Sequence, residues 1–247
     1  MIVEPLKFYI PPNSGVDFIA ENIENTVKNG DVIAVSSKAI SYSEGRLVKL
    51  SEIKISEEGR NLAEKYSLRP ELAELILREA EEIVGGVDGF VLTIKFGMLC
   101  PNAGIDISNA PSGFAVLYPE DPWDSAKKLR KKLSTFRKKV GVVITDSRIL
   151  PLRRGVSGVA ISYSGIIGIE DLRGKKDIYG NLIRRTFRNV ADMVANVATL
   201  VMGECDEMVP AVVLRNHPVK LGDNDLKPYI GLDECLYGKL INFKSII

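Results

Sequence analysis

The sequence predicts an α/β chain of mixed (α+β) character. Three observations carry that expectation. Short β-branched runs read as buried strands, most plainly at Val140–Ile144 and Asp31–Val35. Apolar residues at helical spacing alternate with them, as at Leu72, Leu75, Ile76, Ala80 and Ile83. No apolar run approaches the roughly 18 residues of a membrane span. The 247 residues suffice for one large domain or two small ones. The expectation is a single domain over 1–247, with a division into two subdomains left open.

In order, residues 2–10 read as a first strand, broken by Pro11 and Pro12. Phe18, Ile19, Ile23 and Val27 make a helical stripe that Asn29-Gly30 ends. The 31–35 strand then delivers Ser36, Ser37 and Lys38, with Ser41, Ser43, Glu44, Gly45 and Arg46 beyond; taken alone, these fit a polar hairpin or loop. Residues 57–68 and 70–83 read as helices, the second started by Pro70 and broken by Gly85-Gly86. Phe90–Ile94 is a strand, 100–113 a long polar loop, and Phe114–Leu117 another strand. Asp121-Pro122 opens a helix whose Leu129, Leu133 and Phe136 face the core. Its run of Lys127, Lys128, Arg130, Lys131 and Lys132 reads as a solvated face. A strand at 140–147 follows. The glycines of 156–171 suggest strands with bulges or close backbone packing. A charged loop spans 171–180. Residues 181–202 read as one long helix, with Leu182, Phe187, Met193 and Leu200 on its apolar face, and Val209–Leu214 as the last strand.

Composition removes several function classes. Lysine plus arginine number 33 and aspartate plus glutamate 32, so the chain lacks the basic excess of a general nucleic-acid binder. Three cysteines, Cys100, Cys205 and Cys235, form no CxxC pair and no zinc spacing. One histidine, His217, excludes histidine-rich metal sites and disfavours a Ser–His–Asp triad. A metal would be held by oxygen, which suits Mg²⁺ or Mn²⁺. The N-terminus has no cationic segment ahead of an apolar one, so the expectation is a soluble, cytoplasmic protein with no membrane partner.

Polar clusters recur where apolar elements end: Ser37 and Lys38, Asp106 and Asn109, Asp146 and Ser147, and Glu204. In open α/β sheets ligands gather beyond the carboxyl ends of strands. Each cluster taken alone also fits a solvated turn. Glu204, Asp206 and Glu207 crowd three carboxylates into four residues, which either solvent or a cation would relieve. Oxygen donors beside Lys and Arg suit metal–nucleotide chemistry, in which cations offset charge on phosphate oxygens. No P-loop or kinase motif is present.

Seven blocks make a resemblance specific: VSSKAISYSEGR (35–46), NAGIDISN (102–109), VVITDS (142–147), RRGVSGVAIS (153–162), DLRGKKDIYGNLIRRT (171–186), ADMVANVATLVMGE (191–204) and VPAVVLR (209–215). In these blocks and their order the chain resembles the coenzyme F420-0:L-glutamate ligase family, the gamma-glutamyl ligases. The resemblance implies an uncommon two-part mixed-sheet fold, a homodimer, and GTP-dependent addition of L-glutamate to the lactyl carboxylate of a deazaflavin coenzyme precursor through an acyl phosphate. It implies two Mg²⁺ or Mn²⁺ ions, one held by Asp106 and Asp146 and the second by Ser147 and Glu204, with K⁺ as a further cofactor. It places nucleotide contacts at Ile10, Pro11, Pro12, Asn13, Ser37, Lys38, Asn109, Met202, Gly203, Cys205, Asp206, Glu207, Met208 and Val209.

Two stretches depart from the family pattern. Where it usually reads SKAEGR, this chain has Tyr42 in place of a lysine expected at the nucleotide phosphates; tyrosine donates a hydrogen bond but carries no charge. After ITD[ST], a Gly-Arg pair is replaced within Ile149–Pro151, and Arg148 stands at a different backbone position. Tyr42, Arg148, Arg153 and Arg154 are therefore candidate substrate or phosphate contacts. The departures also admit a paralogue that ligates another carboxylate, or a non-catalytic dimer that binds a nucleotide or coenzyme.

Overall fold

Runs of valine and isoleucine without polar interruption form the middle of the molecule, because only a site covered on both faces can bury every residue of a strand. The structure, a computed structural model, describes residues 1–224 and 226–238. In chain order its elements are β1 (Ile2–Leu6), α1 (Val16–Ile23), β2 (Val32–Ser36), α2 (Ser37–Ser43), β3 (Leu47–Lys49), α3 (Glu57–Lys65), α4 (Pro70–Glu79), β4 (Glu82–Val87), β5 (Phe90–Lys95), β6 (Met98–Pro101), β7 (Phe114–Val116), α5 (Pro122–Thr135), β8 (Gly141–Ile149), β9 (Val156–Ser164), β10 (Ile169–Asp171), β11 (Phe187–Asn189), α6 (Val190–Met202) and β12 (Ala211–Arg215).

The central sheet has five strands in the order β1-β12-β2-β8-β9. Only β2 and β8 pair in parallel, with Ser36 opposite Thr145 at their carboxyl ends. The other three pairings are antiparallel, so the fold is mixed α/β, as expected. Side-chain alternation divides the sheet between two cores. Ile33, Val35, Val142 and Ile144 face Ile19 and Ile23 of α1 and Leu129 and Leu133 of α5. Val32, Ala34, Val143 and Val212 face Ala191, Val194, Ala195 and Ala198 of α6. A third core lies within residues 48–117, where Leu62, Leu72, Ile76, Val91, Ala115 and Leu117 pack around α3, α4 and β5.

Several sequence expectations move. The first strand stops at Leu6 rather than residue 10. Ser37–Ser43 is a short helix rather than a hairpin or loop, and it starts directly from the end of β2. Helix α4 ends at Glu79, so Ile83 belongs to β4 and Gly85-Gly86 lie inside that strand. Gly86 is glycine because a Cβ there would meet the Phe90 carbonyl at 2.4 Å and the Tyr66 ring at 2.8 Å.

The largest correction concerns 181–202. Only Val190–Met202 is helix; Phe187–Asn189 is a strand paired with β10, and Leu182 and Phe187 are exposed. Asn189 caps α6 by accepting the Asp192 backbone N–H at 3.0 Å. Met193 and Leu200, placed on the buried face by the sequence pattern, are exposed as well. The basic run on α5 is surface, as expected, and it is ion-paired: Lys128 to Asp124, Arg130 to Asp223, and Lys132 to Asp17 and Glu21.

Candidate active site

A cleft of about 710 Å³ opens beyond the carboxyl ends of the parallel pair β2–β8. Strand β8 supplies its floor. Its register against β9 shifts between Ile144 and Thr145, so Ile161 is an extra residue at the point where the strand leaves the apolar core. From there alternation sends Asp146 and Ser147 to opposite faces of the sheet end. Each meets a different set of partners.

On one face, Asp146 Oδ1 accepts from the Ser37 hydroxyl at 3.1 Å, and Oδ2 accepts a short hydrogen bond from the Tyr118 hydroxyl. Tyr118 is buried. Burial first, and then the Asp146 carboxylate, push its phenol well above the ordinary value of 10.0, so it remains a proton donor. Arg148, on the same face as Asp146, is also buried and donates from Nη2 to the Tyr118 oxygen at 3.1 Å. On the other face, the Ser147 hydroxyl donates to Glu204 Oε1. Glu204 arrives there because α6 packs under β9 and ends at Met202, with Gly203 at a φ of 74° turning the chain into the cleft.

The 102–109 loop brings the third acid. Asn102 Oδ1 accepts from Val91 N, and Thr93 Oγ1 accepts from Ala103 N, which anchors the loop on β5. Gly104 combines a φ of 72° with a position where a Cβ would lie 2.2 Å from the Tyr118 ring. Only glycine satisfies both demands. A two-way backbone bridge to Val116 then fixes Asp106. Its carboxylate accepts from Lys38 Nζ at 2.6 Å and from the Ser108 backbone and hydroxyl, both at 2.7 Å. Burial opposes ionisation of Asp106, but the Lys38 hydrogen bond and charge outweigh it, so the pKa lies below 3.8. Two contacts close a ring around the mouth: Tyr42 Oη donates to the Asn109 carbonyl at 2.8 Å, and Asn109 Nδ2 donates to the Cys205 carbonyl, also at 2.8 Å.

Most of the sequence-predicted residues line this one cleft: Ile10, Ser37, Lys38, Tyr42, Asp106, Asn109, Asp146, Ser147, and Met202 to Val209. Pro11, Pro12 and Asn13 are not in the lining; Asn13 instead bonds from its backbone N–H to the Tyr42 carbonyl at 3.1 Å. Arg153 and Arg154 are exposed in the turn between β8 and β9, also outside the lining. Arg148 lies beneath the cleft rather than in it. Tyr118 was missing from the sequence reading. Nothing in LYPED distinguishes a tyrosine that reaches a carboxylate 28 residues later from one that only packs.

The donor set suits a hard divalent cation, since Asp106, Asp146, Ser147 and Glu204 offer only oxygen. Among the described residues no group of three or more His, Cys, Asp or Glu side chains is gathered for a metal. The carboxylates are held apart in two sets, each satisfied by a protein donor: Lys38, Ser37 and Tyr118 on one face, and Ser147 on the other.

Comparison with known proteins bears directly on this cleft. The profile of the family described as F420-0:Gamma-glutamyl ligase matches residues 13–216. A protein of Methanopyrus kandleri named coenzyme F420:L-glutamate ligase is 42% identical over 214 residues, covering 85% of this chain and 84% of that one. A protein of the same name from Archaeoglobus fulgidus is 42% identical over 81% of both chains. One from Methanococcus maripaludis is 37% identical over 92% of this chain and 94% of its own.

Proposed function

The chain belongs to the F420-0:gamma-glutamyl ligase family, and on that premise we propose that it is a GTP- and divalent-metal-dependent ligase that adds L-glutamate to the lactyl carboxylate of coenzyme F420-0. The observation that carries the cation requirement is a charge imbalance. Among the described residues five carboxylates line the cleft, Asp106, Asp146, Glu204, Asp206 and Glu207, against one cation, Lys38. Lys38 is already committed to Asp106. A polyphosphate entering such a cleft needs positive charge brought with it, and oxygen-bound Mg²⁺ or Mn²⁺ is the form that carboxylates and phosphates share.

In this reading Asp106 and Asp146 hold one divalent ion, and Ser147 and Glu204 the second. Bound there, the ions would supply positive charge to offset that of the phosphate. The chain's own groups do the positioning. Ser37 and Tyr118 fix both oxygens of Asp146, and Tyr118 keeps its proton because burial opposes the phenolate. Lys38 sits at the mouth between Asp106 and Ser108, close enough to the loop to turn toward an incoming phosphate. The Tyr42–Asn109–Cys205 ring ties the three segments that enclose a nucleotide. The γ-phosphoryl group of GTP passes to the substrate carboxylate, the glutamate amine attacks the acyl phosphate, and phosphate leaves. K⁺ as an additional ion and association as a homodimer belong to the same proposal. Exposed apolar side chains on α6 and the 178–187 segment, Leu200 and Ile178 among them, support the dimer.

A second reading keeps the chemistry and changes the acceptor. It is favoured by Tyr42, whose hydroxyl is spent on the Asn109 carbonyl where the family's lysine would add a charge. One assay separates the two. Purified protein is incubated with GTP, Mn²⁺, L-glutamate and F420-0, and products are followed by mass spectrometry. The expected result is a product heavier by one glutamyl unit, with GDP formed in step. GTP turnover with another carboxylate but not with F420-0 supports the changed acceptor. Absence of nucleotide binding by calorimetry with Mn²⁺ present rejects both.

A further inference from the structure

Behind the Asp146–Tyr118 pair lies a second cavity, of about 440 Å³, with its own lining. Its walls are apolar: Ile94, Met98 and Leu99 from β5 and β6, Val159 from β9, and Tyr229 and Ile230 from the C-terminal segment. One buried cation, Arg148, is set into them. This guanidinium has five N–H donors. Among the described residues its one hydrogen bond runs from Nη2 to Tyr118, Nε has no partner, and no carboxylate lies within ion-pair distance. A buried guanidinium is ordinarily paired, because taking its charge out of water is costly without an anion to offset it. Here the nearest anion, Asp146, is reached only through the Tyr118 hydroxyl, and among the described residues the guanidinium with its unpartnered Nε borders the apolar cavity.

We propose that this cavity is a binding site for a monoanionic carboxylate with an aromatic or branched apolar body, its carboxyl group on Arg148. Three observations fix the class. The cation keeps unused N–H donors, and a planar carboxylate matches the guanidinium fork. The walls require an apolar body, and 440 Å³ accommodates a single ring with room to spare. The carboxylate of the lining, Asp192, disfavours a dianion. Its oxygens accept from Ala160 N at 2.8 Å and Asn189 Nδ2 at 2.7 Å, and it makes no ion pair with Arg148 but lies within its electrostatic reach, so a second negative charge on a ligand would meet it. The site is separate from the nucleotide cleft, and it does not depend on the ligase reading.

The test uses the full chain, without nucleotide or metal, and benzoate as the probe, with benzamide as its uncharged counterpart. Calorimetry is expected to show benzoate binding at one site and benzamide binding at least tenfold more weakly. Arg148→Met is expected to weaken benzoate roughly ten- to hundredfold, the worth of one charge-assisted contact. Val159→Phe fills the cavity without touching the guanidinium and is expected to abolish binding; it keeps the test decisive if Arg148→Met does not fold. Undiminished binding to either variant overturns the proposal. So does no binding of benzoate to the wild type, binding of inorganic phosphate alone, or displacement of benzoate by GTP with Mn²⁺, which would put the probe in the cleft.

Discussion

Asp146 is held from both sides before any ligand arrives. Ser37 donates to one oxygen and Tyr118 to the other, so the carboxylate is oriented by groups that do not depend on a metal. Asp146→Asn keeps the shape and part of the Ser37 contact while removing the charge. Metal-dependent ligation is therefore expected to fall at least about a hundredfold, the upper end of what losing a more distant supporting group costs. The thermal unfolding midpoint should move by no more than a few degrees, because the residue is only partly buried. Unchanged activity would remove Asp146 from the metal site. At this scale the sequence was informative about acids and hydroxyls, since each sits at the end of an apolar run. It was silent about Tyr118 and about the direction of Arg148. Both follow from which face of β8 meets which neighbour, and that is decided by tertiary packing.

Helices and strands carry these groups, and their boundaries followed local rules that apolar spacing alone obscured. Helix α6 begins at Asn189 because an Asn followed three residues later by Asp can close a hydrogen-bonded start, and both contacts form. The apolar residues upstream, Leu182 and Phe187, fall at helical spacing and yet belong to a loop and to β11. Helix α6 approaches β9 so closely that a Cβ on Gly158 would stand 2.5 Å from the Ala195 carbonyl and the Thr199 hydroxyl. Gly158→Ala should cost about 1–3 kcal/mol in denaturant unfolding. It should also reduce kcat more than an equally destabilising change far from the cleft, since shifting α6 shifts Glu204 away from Ser147. Equal loss of kcat in both variants would mean that α6 does not position the site.

The helical pair α3–α4 shows the same economy with charge. Glu74 is buried and accepts from the Ser56 backbone at 2.9 Å and hydroxyl at 2.6 Å, and from Arg78 at 2.9 Å, joining the start of one helix to the middle of the next. The Ser56 hydroxyl bond lowers its pKa below 4.5, burial opposes this, and the Ser56 backbone and Arg78 add to the lowering. The unfolded chain therefore takes up a proton at higher pH than the folded one. The stabilisation is complete above pH 4.5 and is lost as pH falls through the depressed folded value. Glu74→Gln should flatten the dependence of the urea midpoint on pH over that acidic window, and Glu74→Ala should cost about 2–4 kcal/mol near neutrality by leaving Ser56 and Arg78 without an acceptor. An unchanged acid profile in Glu74→Gln would show that other carboxylates govern it, Glu170 with Arg188 and Lys220 being the nearest in kind.

Across the whole molecule the cleft is assembled from segments that share no single core. The loop carrying Asp106 is anchored on β5 and packs with the third core through Ile105, Asp146 and Ser147 extend from the central sheet, and Glu204 follows the end of the helix on the sheet's far face. No pattern within one window of sequence could reveal that these ends meet; only the order of family blocks hinted at it. Besides Ser147 to Glu204 and Tyr118 to Asp146 on the floor, the contacts joining them are few and lie at the mouth: Lys38 to Asp106, Tyr42 to Asn109, and Asn109 to Cys205. A ligand that engages acids from all three segments must therefore stabilise the fold as a whole, because it binds an arrangement the unfolded chain lacks. At a hundred times its dissociation constant such a ligand adds about 2.7 kcal/mol, roughly 5–10 °C in the midpoint for a chain of this size. GTP with Mn²⁺ should produce that shift in the wild type. Mn²⁺ alone should produce less, and Asp106→Asn should lose most of the combined effect while lowering the unliganded midpoint by only a few degrees, since that carboxylate is half-exposed. A full shift in Asp106→Asn would mean that the nucleotide engages only the central sheet and α6, and that the loop carrying Asp106 closes over a site it does not help to build.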